Sequence, residues 1–578
     1  MAEQRRARCH GPPGGRFPPL VIGSWDLVIP AAFTQACVNA AGELQGAPAM
    51  LDIVIRNGRI LDGTGSPWFS GEIGIQEGKI VLLRRRIADA AARVIDAAGL
   101  VVAPGFIDMH THSDLRVFAH PEEDSKLLQG ITTALIGQDG LSVAPVDEAN
   151  KVPMMQRVSG LLGTYVKEWA WNSMAEFMGR LEALPPATHT AMLIPHGPIR
   201  AAAVGWDNRL ATPAEIARMK KILARAFEES GVGFSTGLIY PPGMYAGRAE
   251  LVELCRVTAE CDGFFVVHMR NEGDHVLDSI REVGEICLEA GCPLHISHLK
   301  VAGKANWGKA AEVLGLIDAY RQRGVEITFD QYPYVAGSTM LNAVIPPRFH
   351  SGGTAALLAR LKDPAVREEI RRVQDKVTPE RWDNWVDLCG WDGIWVNAVK
   401  TDRNRWAEGQ SVAAIGKATG KCPVNVVCDL LVEEEDAVIM TAFYGCEEDV
   451  KAIMQSEYMM VCSDAIVGGK PHPRAYNTCA RFLGKYVREE RVLTLPQAIR
   501  RMTSFPAQRL GLQDRGLLRE GMAADVTLFD PETIIDTGTY AEPNRHPIGI
   551  AHVLVAGRLA VEHGKLTGLR AGRVLRAR

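Results

Sequence analysis

Eight short, nearly continuous apolar runs recur along the middle of the chain: Gly105–His110, Thr132–Ile136, Thr190–Ile194, Gly231–Ser235, Phe264–His268, Leu294–His298, Glu326–Asp330 and Met459–Ser463. Strands that lack apolar/polar alternation are buried on both faces, the condition of a parallel sheet covered by helices. Helical patterns separate most of these runs. In "TPAEIARMKKILARAFEES" Thr212 can cap, Pro213 suits the first turn and Glu215 completes a capping box. Ile216, Met219, Leu223 and Phe227 then share one face. Arg248–Cys261, His275–Ala290 and Ala310–Arg323 read the same way. The expected fold is α/β, a closed TIM-like (β/α)8 barrel.

Both ends of this region carry a different pattern. "DIVIRNGRILDG" alternates on either side of Asn57-Gly58, a hairpin signal, and "EIGIQEGKIVLL" repeats it around Glu77-Gly78. "AADVTLFDP" and "HVLVAGRLAVEHGK" resemble them near the other end. These segments, 50–103 and 514–578, are expected to join in a small β-sandwich domain beside a barrel built from 104–345 and 436–513. The polar, Trp-rich stretch 346–435 far exceeds the usual loop of about 2–6 residues. It is read as an insertion, or lid, over the barrel mouth. Residues 1–49, rich in Pro, Gly and Ala, are expected to form a poorly structured extension. A signal peptide fits less well there, because Asp26 and Pro30 interrupt the apolar part.

A formal net charge of −4 offers no bulk attraction to nucleic acid or anionic membranes. No apolar run approaches the roughly 20 residues of a membrane span. The 12 cysteines contain no CxxC pair, and several, such as Cys255, Cys287 and Cys462, lie in apolar segments. That usage suits reduced thiols in a cytoplasmic enzyme.

In such a barrel the catalytic groups sit at the C-terminal ends of the strands. The runs above end at His110 and His112, Asp139, His196, His268, His298 and Lys300, Tyr332 and Tyr334, and Asp464. His196 follows Pro195 and is set aside as a loop residue; His295, out of phase with His298, is read as packing. Each remaining residue has a plainer reading alone: HxH as surface or core histidines, "CSDA" as a helix cap, Lys300 as a solvated charge. Their convergence on one rim points instead to a metal site. Imidazole and carboxylate suit a borderline divalent ion such as zinc, which activates water and polarises a carbonyl.

"PGFIDMHTHSD", "FSTGLIYPPGMYA", "VVHMRNEGD", "HISHLKVAGKANWGK", "DQYPYVAGST", "CSDA" and "HPRAYNTCARFLGKYVRE" resemble the N-acyl-D-amino-acid deacylases (D-aminoacylases) of the amidohydrolase superfamily. The resemblance runs in order from about Met50 to Lys565. It implies one or two zinc ions, with His268 and His298 as ligands and His110 and His112 as the other half of a binuclear site. It makes Asp464 the general base that activates water and the acid that protonates the departing nitrogen, with a place among the metal residues. Lys300, Tyr332, Ser338 and Arg474 would hold the substrate, the cations facing its carboxylate, and Tyr240 would line the pocket. One position departs: the family's "GNCG"-like turn, whose cysteine is a metal ligand, reads "GQDG" here, with Asp139. Asp139 is expected to bridge two ions, the alternative being a turn aspartate bonded to its own loop amides.

The implied reaction is hydrolysis of an N-acyl-D-amino acid, a small-molecule substrate, to a carboxylate and a free D-amino acid. A cyclic amidase of the hydantoinase or dihydroorotase kind is the nearest rival; those relatives usually carry a carboxylated lysine on strand four, and "GVGFSTGLIY" has no lysine, which counts against them. A non-catalytic scaffold should have lost ligands or base, and here both remain. Side-chain preference, acyl preference and homo-oligomeric assembly stay open at this stage.

Overall fold

The apolar runs of the central region lie side by side in parallel. The structure is a computed structural model that describes residues 50–163, 169–374 and 382–576; the extension expected at 1–49 lies outside them. A six-stranded sheet orders Met459–Val461, Ile327–Gln331, Leu294–Ile296, Phe265–His268, Phe234–Gly237 and Ile194–Pro195. A three-stranded sheet holds Phe106–Asp108, Ile131–Ile136 and His189–Met192. Every residue of these strands is buried, which explains the missing alternation.

Hydrogen bonds bridge the two sheets at both sides. The amide of Leu193 donates to the Ile136 carbonyl (3.0 Å) and that of Val232 to the Met192 carbonyl (3.0 Å). At the opposite side Asp464 N donates to His110 O (2.7 Å) and His112 N to Ala465 O (3.0 Å). The helices run between consecutive strands: Pro213–Glu228, Arg248–Glu260, Val276–Ala290 and Ala310–Gln322. Thr212 and Glu215 form the reciprocal capping box at the first of them. Its Met219 and Leu223 join Phe234, Phe265, Phe329 and other strand residues in one apolar core. The strand expected at Gly231–Ser235 begins three residues later, at Phe234. A Cβ at Gly233 would lie 2.7 Å from the Phe264 carbonyl, so backbone packs directly on backbone before the strand starts.

The two chain ends share a nine-stranded sheet. They meet where Val526–Phe529 runs antiparallel to Val101–Pro104, with Val526 opposite Pro104. Ile53, Ile55, Ile73, Ile75, Val102, Val526 and Leu554 form its core. Glu77-Gly78 turns a hairpin as expected. Asn57-Gly58 does not. Leu51–Ile60 is one strand whose register to Phe69–Gln76 shifts between Ile55 and Gly58. Asn57 takes the left-handed conformation (φ 62°), and a Cβ on Gly58 would meet Val102 Cγ2 at 2.4 Å. The same left-handed requirement that suits a tight turn is used for a bulge.

A four-stranded antiparallel sheet pairs Ala336–Met340 with Ile439–Phe443, then Ile394–Ala398 and Gln410–Ser411. It has its own core, including Leu341, Val344, Leu357, Val396, Val427 and Met440. Trp385 and Thr339 from this region reach the cavity described next.

Candidate metal centre and active site

The polar residues expected at the strand ends come together. His268 closes its strand; His110 and His112, Asp139, His298 and Asp464 lie two to four residues beyond theirs. Three of them hold left-handed backbone: Asp139 at φ 56°, His298 at φ 36° and Asp464 at φ 46°. Such conformations cost roughly 1–3 kcal/mol each and persist where surrounding bonds over-determine them. Here His298 N donates to Asp330 Oδ1 (2.6 Å), and Gln138 Nε2 donates to Met109 O (2.8 Å) beside Asp139. Gly137, at φ 81°, packs on the Leu193 carbonyl, leaving no room for a Cβ.

Asp139 is the hub. Its Oδ2 lies 3.5 Å from both His110 Nε2 and His112 Nε2, 3.7 Å from His298 Nε2 and 4.0 Å from His268 Nδ1. Its Oδ1 is buried without a hydrogen-bond partner. Asp464 Oδ1 lies 3.4 Å from His112 Nε2 and 3.7 Å from His110 Nε2. The donor atoms fall into three overlapping triads: His110, His112, Asp139; Asp139, His268, His298; and His110, His298, Asp464. The two Nε2 atoms of His110 and His112 approach to 3.4 Å, within hydrogen-bond reach when one ring donates and the other accepts. A set of imidazoles and carboxylates this close is the donor chemistry that suits zinc.

The electrostatics agree. Burial alone would raise the Asp139 carboxyl, but His110 and hydrogen bonds from His110, His112 and His298 hold it well below the usual range. Burial opposes charging His112, yet Asp139 and Asp464 push it up to about 9. Asp464 is likewise held below the usual range against burial, chiefly by Arg474, whose Nη1 lies 2.8 Å from Asp464 Oδ2.

Tyr240, Lys300, Tyr332 and Ser338 line one cavity with Asp139, Asp464, His112, His268 and His298. Arg474 opens the helix Arg474–Arg481, donates to the Ser338 carbonyl (3.0 Å) and stacks over Tyr332 at 4.4 Å. Tyr240 OH bonds Thr339 Oγ1 (2.7 Å). Lys300 Nζ is bonded to Glu272 Oε1 (2.6 Å) and lies 2.7 Å from His298 Nδ1. His295 turns away, held by Thr328 and Asp330, and His196 is tied to Thr236 and Glu250. Sequence reasoning missed Glu272, Trp385 and Tyr444, which also line the cavity. A buried acid four residues past His268, in "VVHMRNEGD", was the available signal for the first; the other two stand beside the four-stranded antiparallel sheet, where no pattern marks them.

Residues 93–561 match the amidohydrolase family profile. An N-acyl-D-glutamate deacylase of Alcaligenes xylosoxydans xylosoxydans is 36% identical over 529 residues, 91% of this chain and 96% of that protein. A D-aminoacylase of the same organism is 33% identical over 528 residues, 91% and 97%. The crystal structure of an N-acyl-D-glutamate deacylase from Bordetella bronchiseptica, complexed with zinc and a phosphonate mimic of the tetrahedral intermediate, superposes with a TM-score of 0.76. It has 33% sequence identity and covers 92% of this chain and 100% of that one. The chain belongs to the amidohydrolase family, in its D-aminoacylase branch.

Proposed function

We propose that this protein is a zinc-dependent deacylase that hydrolyses the amide of N-acyl-D-amino acids to a carboxylate and a free D-amino acid. The observation that carries the reading is the cluster of His110, His112, His268, His298 and Asp464 with Asp139, beside a cavity that Lys300 lines. The relatives that act on N-acyl-D-glutamate and other N-acyl-D-amino acids support the substrate class.

Asp139, His268 and His298 would hold one ion, and His110 and His112, sharing Asp139, a second. Zinc there supplies a Lewis acid that polarises the scissile carbonyl and acidifies water. Asp464, ionised and within 3.4 Å of His112, takes the proton of the attacking water and returns it to the departing nitrogen. Arg474 Nε, buried and without a partner, is free to meet the substrate's α-carboxylate, with Tyr332 and Ser338 beside it. A carboxylate that draws the guanidinium also loosens its hold on Asp464, returning basicity to that group. Tyr240 closes the wall next to His268, their rings 5.1 Å apart.

The scaffold we infer is a closed (β/α)8 barrel, supported by the hydrogen bonds that join its two parallel sheets on both sides. It comprises 104–345 and 436–513, with a β-sandwich from 50–103 and 514–578 and a lid from 346–435. A cytoplasmic location is supported by the cysteines, all free among the described residues. No helix among those residues is long and apolar enough to cross a membrane.

The test is Asp464→Asn in zinc-loaded protein. Amine release should fall about 10²–10⁴-fold while one zinc remains bound. Hydrolysis at the wild-type rate would refute the reading.

A further inference from the structure

The ring nitrogens of His268 and His298 that face Asp139 are Nδ1 and Nε2, 3.0 Å apart. The opposite nitrogen of each ring faces a single carboxylate. His298 Nδ1 lies 3.2 Å from Glu272 Oε1, and His268 Nε2 lies 3.7 Å from Glu272 Oε2. His268 Nε2 and Glu272 Oε2 are both buried and neither has a hydrogen-bond partner; at 3.7 Å they stand just beyond hydrogen-bond length, a donor facing an acceptor. We propose that Glu272 is a positioning residue for the metal centre: one carboxylate takes the N–H of both rings and so turns both lone pairs towards Asp139. The inference rests on the reading of His268 and His298 as zinc ligands.

A neutral imidazole carries one proton, and the partner of one nitrogen decides which nitrogen holds it. Lys300 makes the choice consequential at His298. Its Nζ is 2.7 Å from His298 Nδ1, and a lysine ammonium can only donate. Donation into Nδ1 would leave the His298 proton on Nε2, pointing an N–H at the centre. Glu272 prevents this by accepting from Lys300 at 2.6 Å and offering Nδ1–H an acceptor on the same oxygen. The carboxylate is itself fixed. Glu272 is 1% exposed, its amide donates to Asp383 (3.0 Å), and its carbonyl accepts from Ala302 N (2.8 Å). Asn271 Oδ1 braces the following turn by accepting from Gly273 and His275.

Zinc affinity of the full chain, measured by competition with a chromophoric chelator, tests this in Glu272→Gln and in Glu272→Gln combined with Lys300→Met. The glutamine offers an oxygen to one ring but an N–H₂ to the other, forcing one histidine into the opposite tautomer. The double variant removes both buried charges, so neither is left unpaired. Both should bind zinc about 10–100-fold more weakly, while the metal-free double variant melts near the wild type. Lys300→Met alone should stay within a few-fold of wild-type affinity. A double variant that melts like the wild type and binds zinc as tightly would overturn the inference, as would an equal loss in Lys300→Met alone. If the wild type itself binds no zinc, the metal centre rather than the role of Glu272 is what fails.

Discussion

Asp139→Asn removes one negative charge from the centre at nearly constant shape. Asp139 Oδ2 stands 3.5–4.0 Å from nitrogens of four histidines, so an ion those nitrogens share with it lies no farther than about 4 Å away, and closer as a direct ligand. Two unit charges about 4 Å apart interact by about 4 kcal/mol at an effective dielectric of about 20. With a tenfold change per about 1.4 kcal/mol, losing that charge weakens zinc binding by about a thousandfold, and the second charge of the ion adds to this. Asp139→Cys, which returns an anionic ligand and the family's usual residue, should recover most of the loss. Chelator competition and metal counting by mass spectrometry give both values. A turn aspartate that merely bonded its own loop would leave zinc affinity alone. An Asn variant that binds zinc within tenfold of the wild type would therefore refute the bridging role.

Other consequences are equally concrete. Arg474→Met should raise KM and, because Arg474 holds the Asp464 carboxyl down, move the acidic limb of the kcat/KM profile to higher pH; an unmoved limb contradicts the pairing. Asp525 is buried between His189 and Arg515, which against burial hold it at about 2, below the unfolded value of about 3.9. Its stabilisation, about 2–3 kcal/mol, is complete above that unfolded value and is lost as pH falls towards the folded one. Asp525→Asn should flatten the thermal-midpoint curve across that window. Gly137→Ala puts a Cβ 2.4 Å from the Leu193 carbonyl oxygen in left-handed backbone. It should cost about 1–3 kcal/mol and weaken zinc binding through Asp139, read by thermal unfolding and chelator competition; wild-type values in both would contradict this.

Strand ends were readable because burial on both faces leaves a run that stops where polar residues begin, as at His110, His268 and His298. The capping box of Thr212 was readable because its two partners are three residues apart. The end segments were readable as sheet, but Asn57-Gly58 was not readable as a bulge, since the residues favouring left-handed backbone are the same in both. Glu272 reaches the centre by a loop that folds back after His268, and Tyr444 by a strand that pairs with Ala336–Met340 across about a hundred residues of chain. Neither return has a local periodicity. Even the family pattern left Asp139 unresolved, because a carboxylate in place of a thiolate changes the ligand without changing the turn.

The central claim concerns stereochemistry at a metal-dependent centre. Chiral chromatography of the products from racemic N-acetyl-glutamate, -aspartate and -methionine, with zinc-loaded and chelator-stripped protein, measures it directly. The expected result is release of the D-amino acid alone from at least one substrate, abolished by the chelator and restored by zinc. Release of the L-enantiomer at a comparable rate, or D-release indifferent to the chelator, would contradict it.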